Sequence, residues 1–333
     1  MNPPSETQRS NTQESDNTTP GAVRPARCLV TGGAGFIGSH AVRGLIDSGN
    51  EVAVLDNLST GKQDNLPDRV PLFTLDITDD VSTAFSEFRP DVLVHLAAQT
   101  SVPASVANPG HDARTNILGS IEMIRACAEH GVKKIVYASS AAAYGPVDAL
   151  PLHENLRPQP VSPYGASTYT VEHYLRSAAK ESGLEWAALR FANVYGPRQD
   201  PHGEAGVVAI FTGFLLDGET PTIYDDGKQT RDYVYVGDVA GAIVRAVHVD
   251  LAGHPDPVFN VSTGTEISVN DLLKEMNAAL ETDVQPRYAP ARAGDVRRSR
   301  LDPSRAQEAL GWRAEVSIGD GLRRTLEFFR DRV

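Results

Sequence analysis

Thr31-Gly32-Gly33-Ala34-Gly35-Phe36-Ile37-Gly38 follows the apolar run Cys28-Leu29-Val30 and leads into Ile37 to Ser48, where apolar side chains recur at helical spacing. A glycine turn between a strand and a helix lets backbone N–H groups approach a diphosphate. The helix N-terminus adds unpaired donors and the positive end of its dipole. Glycines also serve turns that bind nothing, so this loop is a weak signal by itself.

Two acidic residues farther along the chain give the loop a more specific meaning. Asp56 lies 18 residues after Gly38, at the end of the second predicted strand, where a carboxylate can accept hydrogen bonds from adenosine ribose hydroxyls. The same carboxylate would repel a 2′-phosphate, so the pair predicts NAD rather than NADP. Asp76, with Ile77 after the third predicted strand, is either an adenine contact or a helix-capping residue.

The pattern around the loop repeats and predicts the fold class. Short apolar strands are predicted at 28–30, 51–55, 71–75, 91–96, 134–138 and 186–190. Helical stretches lie between them at 37–48, about 79–88, 113–130 and 164–182. Continuously apolar strands that alternate with helices are typical of a parallel sheet covered on both faces. We therefore predict a doubly wound, Rossmann-type α/β fold.

After Asn193 the elements become shorter and mixed, which predicts a second, smaller lobe. Its expected elements are a strand near 221–224 and helices near 207–217, 238–249, 268–280, 303–310 and 318–330. We assign 26–193 and about 232–262 to the first domain, and 194–231 and about 263–333 to the second lobe. Residues 1–25 carry almost no large apolar side chains and predict a disordered tail.

Composition limits the classes of partner. The 333 residues carry a formal net charge of −12, which opposes binding to nucleic acid and to anionic membranes. No apolar run approaches the ~20 residues of a membrane helix, and the first residues do not resemble a signal peptide. Cys28 and Cys127 lie in apolar runs and are expected to be buried rather than bridged or metal-bound. We expect a cytoplasmic protein with no metal site.

Several segments resemble the extended short-chain dehydrogenase/reductase family, and within it the nucleotide-sugar epimerases. They are Thr31 to His40, Ser139-Ser140 before Tyr144-Gly145, Ser162 to Ser167, Leu189 to Gly203, Gly203 to Ile210 and Gly294 to Arg297. The resemblance runs from about residue 27 to the C-terminus. It implies NAD-dependent epimerisation at C4 of a UDP-hexose, by oxidation to the 4-ketose and return of hydride to the other face. It also implies a homodimer formed through helices around Tyr164 and residues 113–130.

The resemblance also implies roles for single residues. Tyr164 would be the acid–base residue at the sugar 4-hydroxyl, bridged to it by Ser140; without the motif, a tyrosine here would be an ordinary packing aromatic. The implied cofactor contacts are Gly32, Gly35, Phe36, Ile37, Gly38, Asp56, Asn57, Ser59, Gly61, Asp76, Ile77, Leu96, Ala97, Ala98, Gln99, Asn116, Tyr164 and Thr168.

Position 168 departs from the family, which has a lysine four residues after its tyrosine. That lysine would hold the nicotinamide ribose and lower the tyrosine pKa, whereas Thr168 can form a hydrogen bond but carries no charge. Lys133, Lys134 and Lys180 are not close to it in sequence. Three interpretations stay open: a substitution introduced to trap a complex, a natural enzyme that is slow or uses another assisting group, and a binding protein without turnover.

The second lobe is predicted to bind the nucleotide sugar. The implied contacts are Ser140, Asn193, Val207, Val208, Tyr224, Arg231, Arg292 and Asp295. Arginine suits a diphosphate because its planar fork can bond phosphate oxygens in pairs, although Arg231 and Arg292 could also be solvated surface residues. Glucose/galactose, N-acetylated and uronate hexoses all remain candidates.

The residues after Ser140 bear on the reaction. Dehydratase and decarboxylating relatives carry acidic residues there, but this chain has Ala141-Ala142-Ala143, which cannot exchange protons. Epimerisation therefore fits better than elimination or decarboxylation. A sugar oxidoreductase that releases NADH and a protein that binds without turnover are the two alternatives.

Overall fold

Seven parallel strands form the central sheet of the computed structural model, which describes residues 25–201, 206–291 and 296–331. The sheet strands are β1 (Arg27–Thr31), β2 (Glu51–Leu55), β3 (Leu72–Phe73), β4 (Val92–His95), β5 (Lys134–Ser140), β6 (Glu185–Phe191) and β11 (Val258–Val261). Their order is β11-β6-β5-β4-β1-β2-β3. The chain starts in the middle and winds outward in both directions, which confirms the predicted fold class.

The described part of the chain has eleven α-helices, and some of them cover the two faces of this sheet. The eleven are α1 (Phe36–Asp47), α2 (Ser82–Phe88), α3 (Val102–Ala107), α4 (Pro109–Ala113), α5 (Ser120–His130), α6 (Pro163–Ser182), α7 (Val207–Leu216), α8 (Val236–His248), α9 (Val269–Leu280), α10 (Ser304–Leu310) and α11 (Ile318–Arg330). A π-helical turn, Arg114–Gly119, joins α4 to α5, and short 3-10 turns lie at Gln63–Asn65 and Ala141–Ala143. None of the helices in the described ranges is long and apolar enough to cross a membrane.

Alternate residues of each central strand enter opposite core layers, as expected for strands that are apolar throughout. Val30, Val54 and Val94 pack with side chains of α1 and α8. Leu29, Leu55 and Leu93 pack on the other face with α2, α5 and α6. The end of β1 is therefore held between two apolar layers, and the glycine loop follows directly after it.

The remaining strands form three small pairs outside the central sheet. They are β7 (Asn193–Tyr195) with β10 (Tyr233–Tyr235), β8 (Thr222–Tyr224) with β13 (Arg287–Ala289), and β9 (Thr230–Arg231) with β12 (Ile267–Ser268). A third apolar cluster joins α7, α9 and α11 to the tyrosines of β7 and β10. α8 packs against α1, and β11 extends the central sheet beside β6.

Most predicted elements lie within a few residues of the observed ones, with some differences. β3 is only Leu72–Phe73 instead of 71–75, and the helix expected at 113–130 begins at Pro109 and includes the π turn. α3 was not predicted; Ser101 caps it by accepting a hydrogen bond from the N–H of Ala104. The predicted tail lies outside the described residues, except for Pro25.

Candidate active site

A cleft of about 460 Å³ opens where β1, β2, β4, β5 and β6 end, beside the N-terminus of α7. In open parallel sheets, ligands bind at the carboxyl ends of the strands, where the loops on either side of a change in strand order separate. The first strand lies at this change, since β2 is on one side of it and β4 on the other. The cleft therefore occupies the position that the glycine loop predicts.

The glycine loop brings backbone close to backbone at the mouth of α1. Gly32 has a φ of +66°, and a Cβ there would come within 2.8 Å of the backbone nitrogen of Ala97. A Cβ on Gly38 would come within 2.0 Å of the carbonyl oxygen of Gly32. In the described part of the chain no side chain caps α1, whose first residues, Phe36 and Ile37, line the cleft. Uncapped N–H groups at a helix N-terminus fit a diphosphate.

Asp56 lines the cleft at the end of β2, beside this helix end. Its carboxylate accepts hydrogen bonds from the N–H groups of Ala34, at 2.9 Å, and Leu58, at 2.8 Å, which hold it in place. Because a carboxylate has about four acceptor sites, it can still accept from ribose hydroxyls. Gly61 does not line the cleft, but a Cβ there would come within 2.9 Å of the Asp56 carboxylate.

Asp76 also lines the cleft. Its carboxylate stabilises a local turn by accepting hydrogen bonds from the N–H and the hydroxyl of Thr78. Burial would raise the pKa of Asp76, but hydrogen bonds from Thr78 and from the Asn57 side chain outweigh it and hold the pKa below its usual value. The cap of α2 is Val81, so the alternative of a helix-capping Asp76 does not hold. Ile77, Asn57, Ser59, Leu96, Ala97 and Ala98 line the cleft with it.

Ser140 and Tyr164 come from different elements and meet in the cleft. Ser140 ends β5, and its Oγ accepts a hydrogen bond from the N–H of Ala142 at 3.1 Å, which leaves its own proton to donate. Tyr164 is the second residue of α6, which Ser162 caps by accepting from the N–H of Gly165. Burial raises the pKa of the Tyr164 phenol; hydrogen bonding by the side chains of Ser140 and Thr168 opposes the rise, and the charge of Asp112 adds to it.

Thr168 lies beneath Tyr164 on α6, buried and outside the cleft lining. Its hydroxyl donates to the carbonyl oxygen of Tyr164 at 2.7 Å. Of the three lysines considered for this position, Lys133 pairs with Asp91, Lys134 pairs with Glu185, and Lys180 lies in the last turn of α6. None of these supplies a charge beside Tyr164.

Gln99 and Asn116 were predicted as cofactor contacts, but they lie behind the cleft lining. The side-chain amide of Asn116 pairs with the backbone of Gln99: Oδ1 accepts from the N–H at 2.8 Å, and Nδ2 donates to the carbonyl at 2.9 Å. The same Nδ2 also lies 3.1 Å from Ser167 Oγ on α6. These two residues brace the loop after β4 against α6.

The predicted substrate residues divide into three groups. Asn193, Val207 and Val208 line the cleft opposite the glycine loop. Tyr224 and Arg231 lie on β8 and β9, outside the central sheet, and do not line the cleft. Arg292 and Asp295 lie outside the described residues, so their roles stay predictions.

The cleft also contains polar residues that were not predicted. They are Thr60, His95, Thr100, Thr115, Tyr137, Ser139, Tyr195, Gln199 and Tyr233. Within the described ranges, the Oε1 atom of Gln199 is buried and has no hydrogen-bond partner. The Nε2 atom of the same side chain donates to the carbonyl oxygen of Val194 at 3.3 Å. A buried acceptor without a donor costs free energy, so a ligand that donates to Oε1 would gain from this position.

Known proteins with a similar sequence and fold bind the molecules that this geometry suggests. The NAD dependent epimerase/dehydratase family matches residues 28–262. A UDP-glucose 4-epimerase of Mycolicibacterium smegmatis is 44% identical over 313 residues, covering 92% of this chain and 99% of that protein. UDP-glucose 4-epimerase of Thermotoga maritima, solved with UDP-glucose, has 47% identity and a TM-score of 0.88, covering 92% and 99%. The Thermus thermophilus enzyme, solved with NAD, has 46% identity and a TM-score of 0.85, covering 92% and 100%.

Proposed function

Because the chain belongs to the NAD dependent epimerase/dehydratase family, we propose that it epimerises a UDP-hexose at C4, with UDP-glucose and UDP-galactose as the first pair to test. The family match confirms the predicted resemblance, and NAD is the cofactor. The observation that carries the proposal is the meeting of Ser140 and Tyr164 in the cleft that also contains the uncapped end of α1.

NAD, when bound, supplies a reversible hydride acceptor. The residues of the chain supply everything else. Tyr164 Oη takes the proton of the sugar 4-hydroxyl as hydride leaves C4, and returns it when hydride comes back to the other face. Ser140 Oγ–H donates to the same oxygen and keeps it in line with the phenol. Asp56 accepts from the adenosine ribose hydroxyls and repels a 2′-phosphate.

The expected reaction is epimerisation without loss of water, because the residues after Ser140 provide no further acid–base group. Ala141–Ala143 form a 3-10 turn whose side chains have no titratable group. Removal of water from the hexose needs a second acid–base group beside the ring, which three alanines do not provide. The expected product is therefore the C4 epimer, without net oxidation.

A second candidate function rests on Thr168 alone. With no cation under Tyr164, the phenol stays protonated at neutral pH, and a chain of this kind could bind NAD and UDP-sugar without turnover. We favour slow epimerisation, because Ser140 and Tyr164 both line the cleft. The two candidates differ in whether product forms, and they do not differ in binding.

Proton NMR of UDP-glucose, UDP-N-acetylglucosamine and UDP-glucuronate after incubation with the NAD-loaded protein tests the proposal. We expect the anomeric signal of the C4 epimer to grow with one of these sugars and not with the Tyr164→Phe variant. Bound sugar with no epimer after long incubation would favour the binding protein. Steady growth of NADH absorbance with free NAD would favour the oxidoreductase.

Assembly and location complete the proposal. Large apolar side chains are exposed on neighbouring elements of one side of the molecule: Val102 and Val106 on α3, Leu118 on the π turn and Tyr174 on α6. Such a patch supports the homodimer that the family resemblance implies. Cys28 and Cys127 are buried and free, which supports a reducing compartment such as the cytoplasm.

A further inference from the structure

A buried carboxylate without a cationic partner lies beside the candidate active site. Asp112, on α4, is 1% exposed. Its Oδ1 accepts from Gln99 Nε2 at 2.9 Å and from Asn116 Nδ2 at 3.1 Å, both neutral amides. No ion pair within the described ranges includes Asp112. Since buried charges are normally paired, this anion requires an explanation.

The hydrogen-bond network connects Asp112 to the helix of Tyr164. The Asn116 amide nitrogen that donates to Asp112 also lies 3.1 Å from Ser167 Oγ. Ser167 Oγ in turn donates to the carbonyl oxygen of Tyr164 at 3.1 Å. One side-chain amide therefore holds the carboxylate against the first turns of α6, where position 168 also lies.

The other titratable groups around Tyr164 are neutral or balanced. Glu172 of α6 is paired with Arg190 of β6, whose Nε and Nη2 atoms lie 2.9 and 2.7 Å from the two carboxylate oxygens of Glu172. Burial lowers the pKa of His95 on β4 to about 4, so this imidazole is uncharged at neutral pH. Burial raises the pKa of the Tyr137 phenol on β5 well above its usual value, so it is also neutral. Among the described residues, Asp112 is the charged group that acts on the Tyr164 phenol, and it has no ion-pair partner there.

We propose that Asp112 sets how readily Tyr164 gives up its proton, because its negative charge is held beside the helix of Tyr164 while position 168 supplies no cation to balance it. Asp112 touches neither substrate nor cofactor in this role and acts through Tyr164. The proposal rests on Tyr164 being the acid–base residue of the proposed function. The direction of the effect is fixed, because a nearby negative charge opposes formation of the phenolate and so raises the pKa of Tyr164.

Direct titration of Tyr164 tests this without any turnover. Tyrosinate absorbance is followed against pH in the full chain, and the Tyr164→Phe curve is subtracted to isolate one phenol. In Asp112→Asn, which keeps the size and the acceptor oxygen, we expect the midpoint to fall and the phenolate share at a given pH to rise. An unchanged midpoint would overturn the proposal.

Asp238→Asn is the matched control. Asp238 is another buried aspartate held by neutral donors, among them the N–H of Val316 at 3.0 Å, but its charge does not act on Tyr164. We expect its Tyr164 midpoint to equal that of the wild type; an equal fall in both variants would mean a general effect of losing a buried carboxylate and would contradict the proposal.

Thr168→Lys keeps the proposal testable if Asp112→Asn does not fold. It supplies the missing cation and leaves Asp112 in place, so the midpoint should fall as well; no shift would contradict the proposed imbalance. Because the titration needs no product, absence of epimerisation with every UDP-sugar would reject the proposed function and leave this result intact.

Discussion

At the scale of single residues, we predict that the absence of a charge at position 168 limits how fast Tyr164 can exchange protons. A free tyrosine titrates near ~10, so about one in a thousand is phenolate at pH 7, and the raised pKa of Tyr164 makes this share smaller. Each unit of pH multiplies a small phenolate share by ten. The rate of the wild-type chain should therefore rise with pH through the neutral range and level off only under alkaline conditions.

Thr168→Lys should move this profile to lower pH, because an ammonium beside the phenol favours its ionised form. We expect kcat at pH 7 to increase by about tenfold or more, with the steep part of the profile displaced toward acid. Thr168→Val is the control, since it removes the hydroxyl and adds no charge. If the lysine variant keeps the wild-type profile, position 168 does not limit the rate.

Gln199 gives a second prediction at this scale. Replacing it with leucine removes the unpartnered Oε1 atom, so the protein without ligand should be more stable by about 1 kcal/mol, while KM for the UDP-sugar should rise about tenfold. Thermal unfolding and initial rates measure the two effects. Ser262→Ala is the control, because Ser262 Oγ is also buried without a partner but lies outside the cleft lining. A gain in stability with unchanged KM in Gln199→Leu would mean that the oxygen meets no ligand.

At the scale of elements, one buried ion pair, between Glu172 and Arg190, joins the strand that carries Ser140 to the helix that carries Tyr164. Glu172 lies two turns after Tyr164 on α6, and its carboxylate also accepts from Ser139 Oγ at 2.7 Å, next to Ser140 on β5. Arg190 of β6 donates to the same carboxylate, so β5, β6 and α6 meet at Glu172. Two of these elements carry the candidate residues Ser140 and Tyr164.

Glu172→Gln should therefore cost about 3–5 kcal/mol of unfolding free energy, because it leaves the Arg190 charge buried and unpaired. Urea unfolding measures the loss. Glu122→Gln, which breaks only the exposed pair with Arg125 on α5, should change stability by less than about 1 kcal/mol. Equal effects in the two variants would contradict the structural importance of the buried pair.

The sequence predicted elements well where local chemistry determines them. Apolar runs and the glycines at 32, 35 and 38 predict six of the seven central strands, and α1, to within a few residues, because strand burial and the tight turn are local requirements; β11 was not predicted. It did not predict α3, whose six residues include two valines and a proline. Of the three small strand pairs it predicted β8 alone, because the pairing itself depends on distant partners. The sequence did not single out Gln199 or Asp112 for the same reason, because an oxygen without a donor or a carboxylate without a cation can be recognised only in the folded chain.

At the scale of the whole molecule, the cleft is closed on one side by the central sheet and on the other by Asn193, Val207 and Val208. The division of the chain into two lobes stays a prediction. It predicts that the dinucleotide lies on the sheet and that the sugar nucleotide lies on the side of Asn193, Val207 and Val208. The apolar patch formed by Val102, Val106, Leu118 and Tyr174 lies on α6 and the elements that contact it, and none of these four residues lines the cleft.

Assembly through that patch is the last prediction. Two copies that bury it would remove exposed apolar surface from water and would support α6, which carries Tyr164. We expect a dimer in light-scattering measurements, and Leu118→Glu should shift the protein to monomer because it places a charge in the buried contact. Tyr288→Glu, on β13 and equally exposed, is the matched control and should stay dimeric. A Leu118→Glu variant that keeps the wild-type mass would remove this face as the interface, and a monomeric wild type would reject the dimer itself.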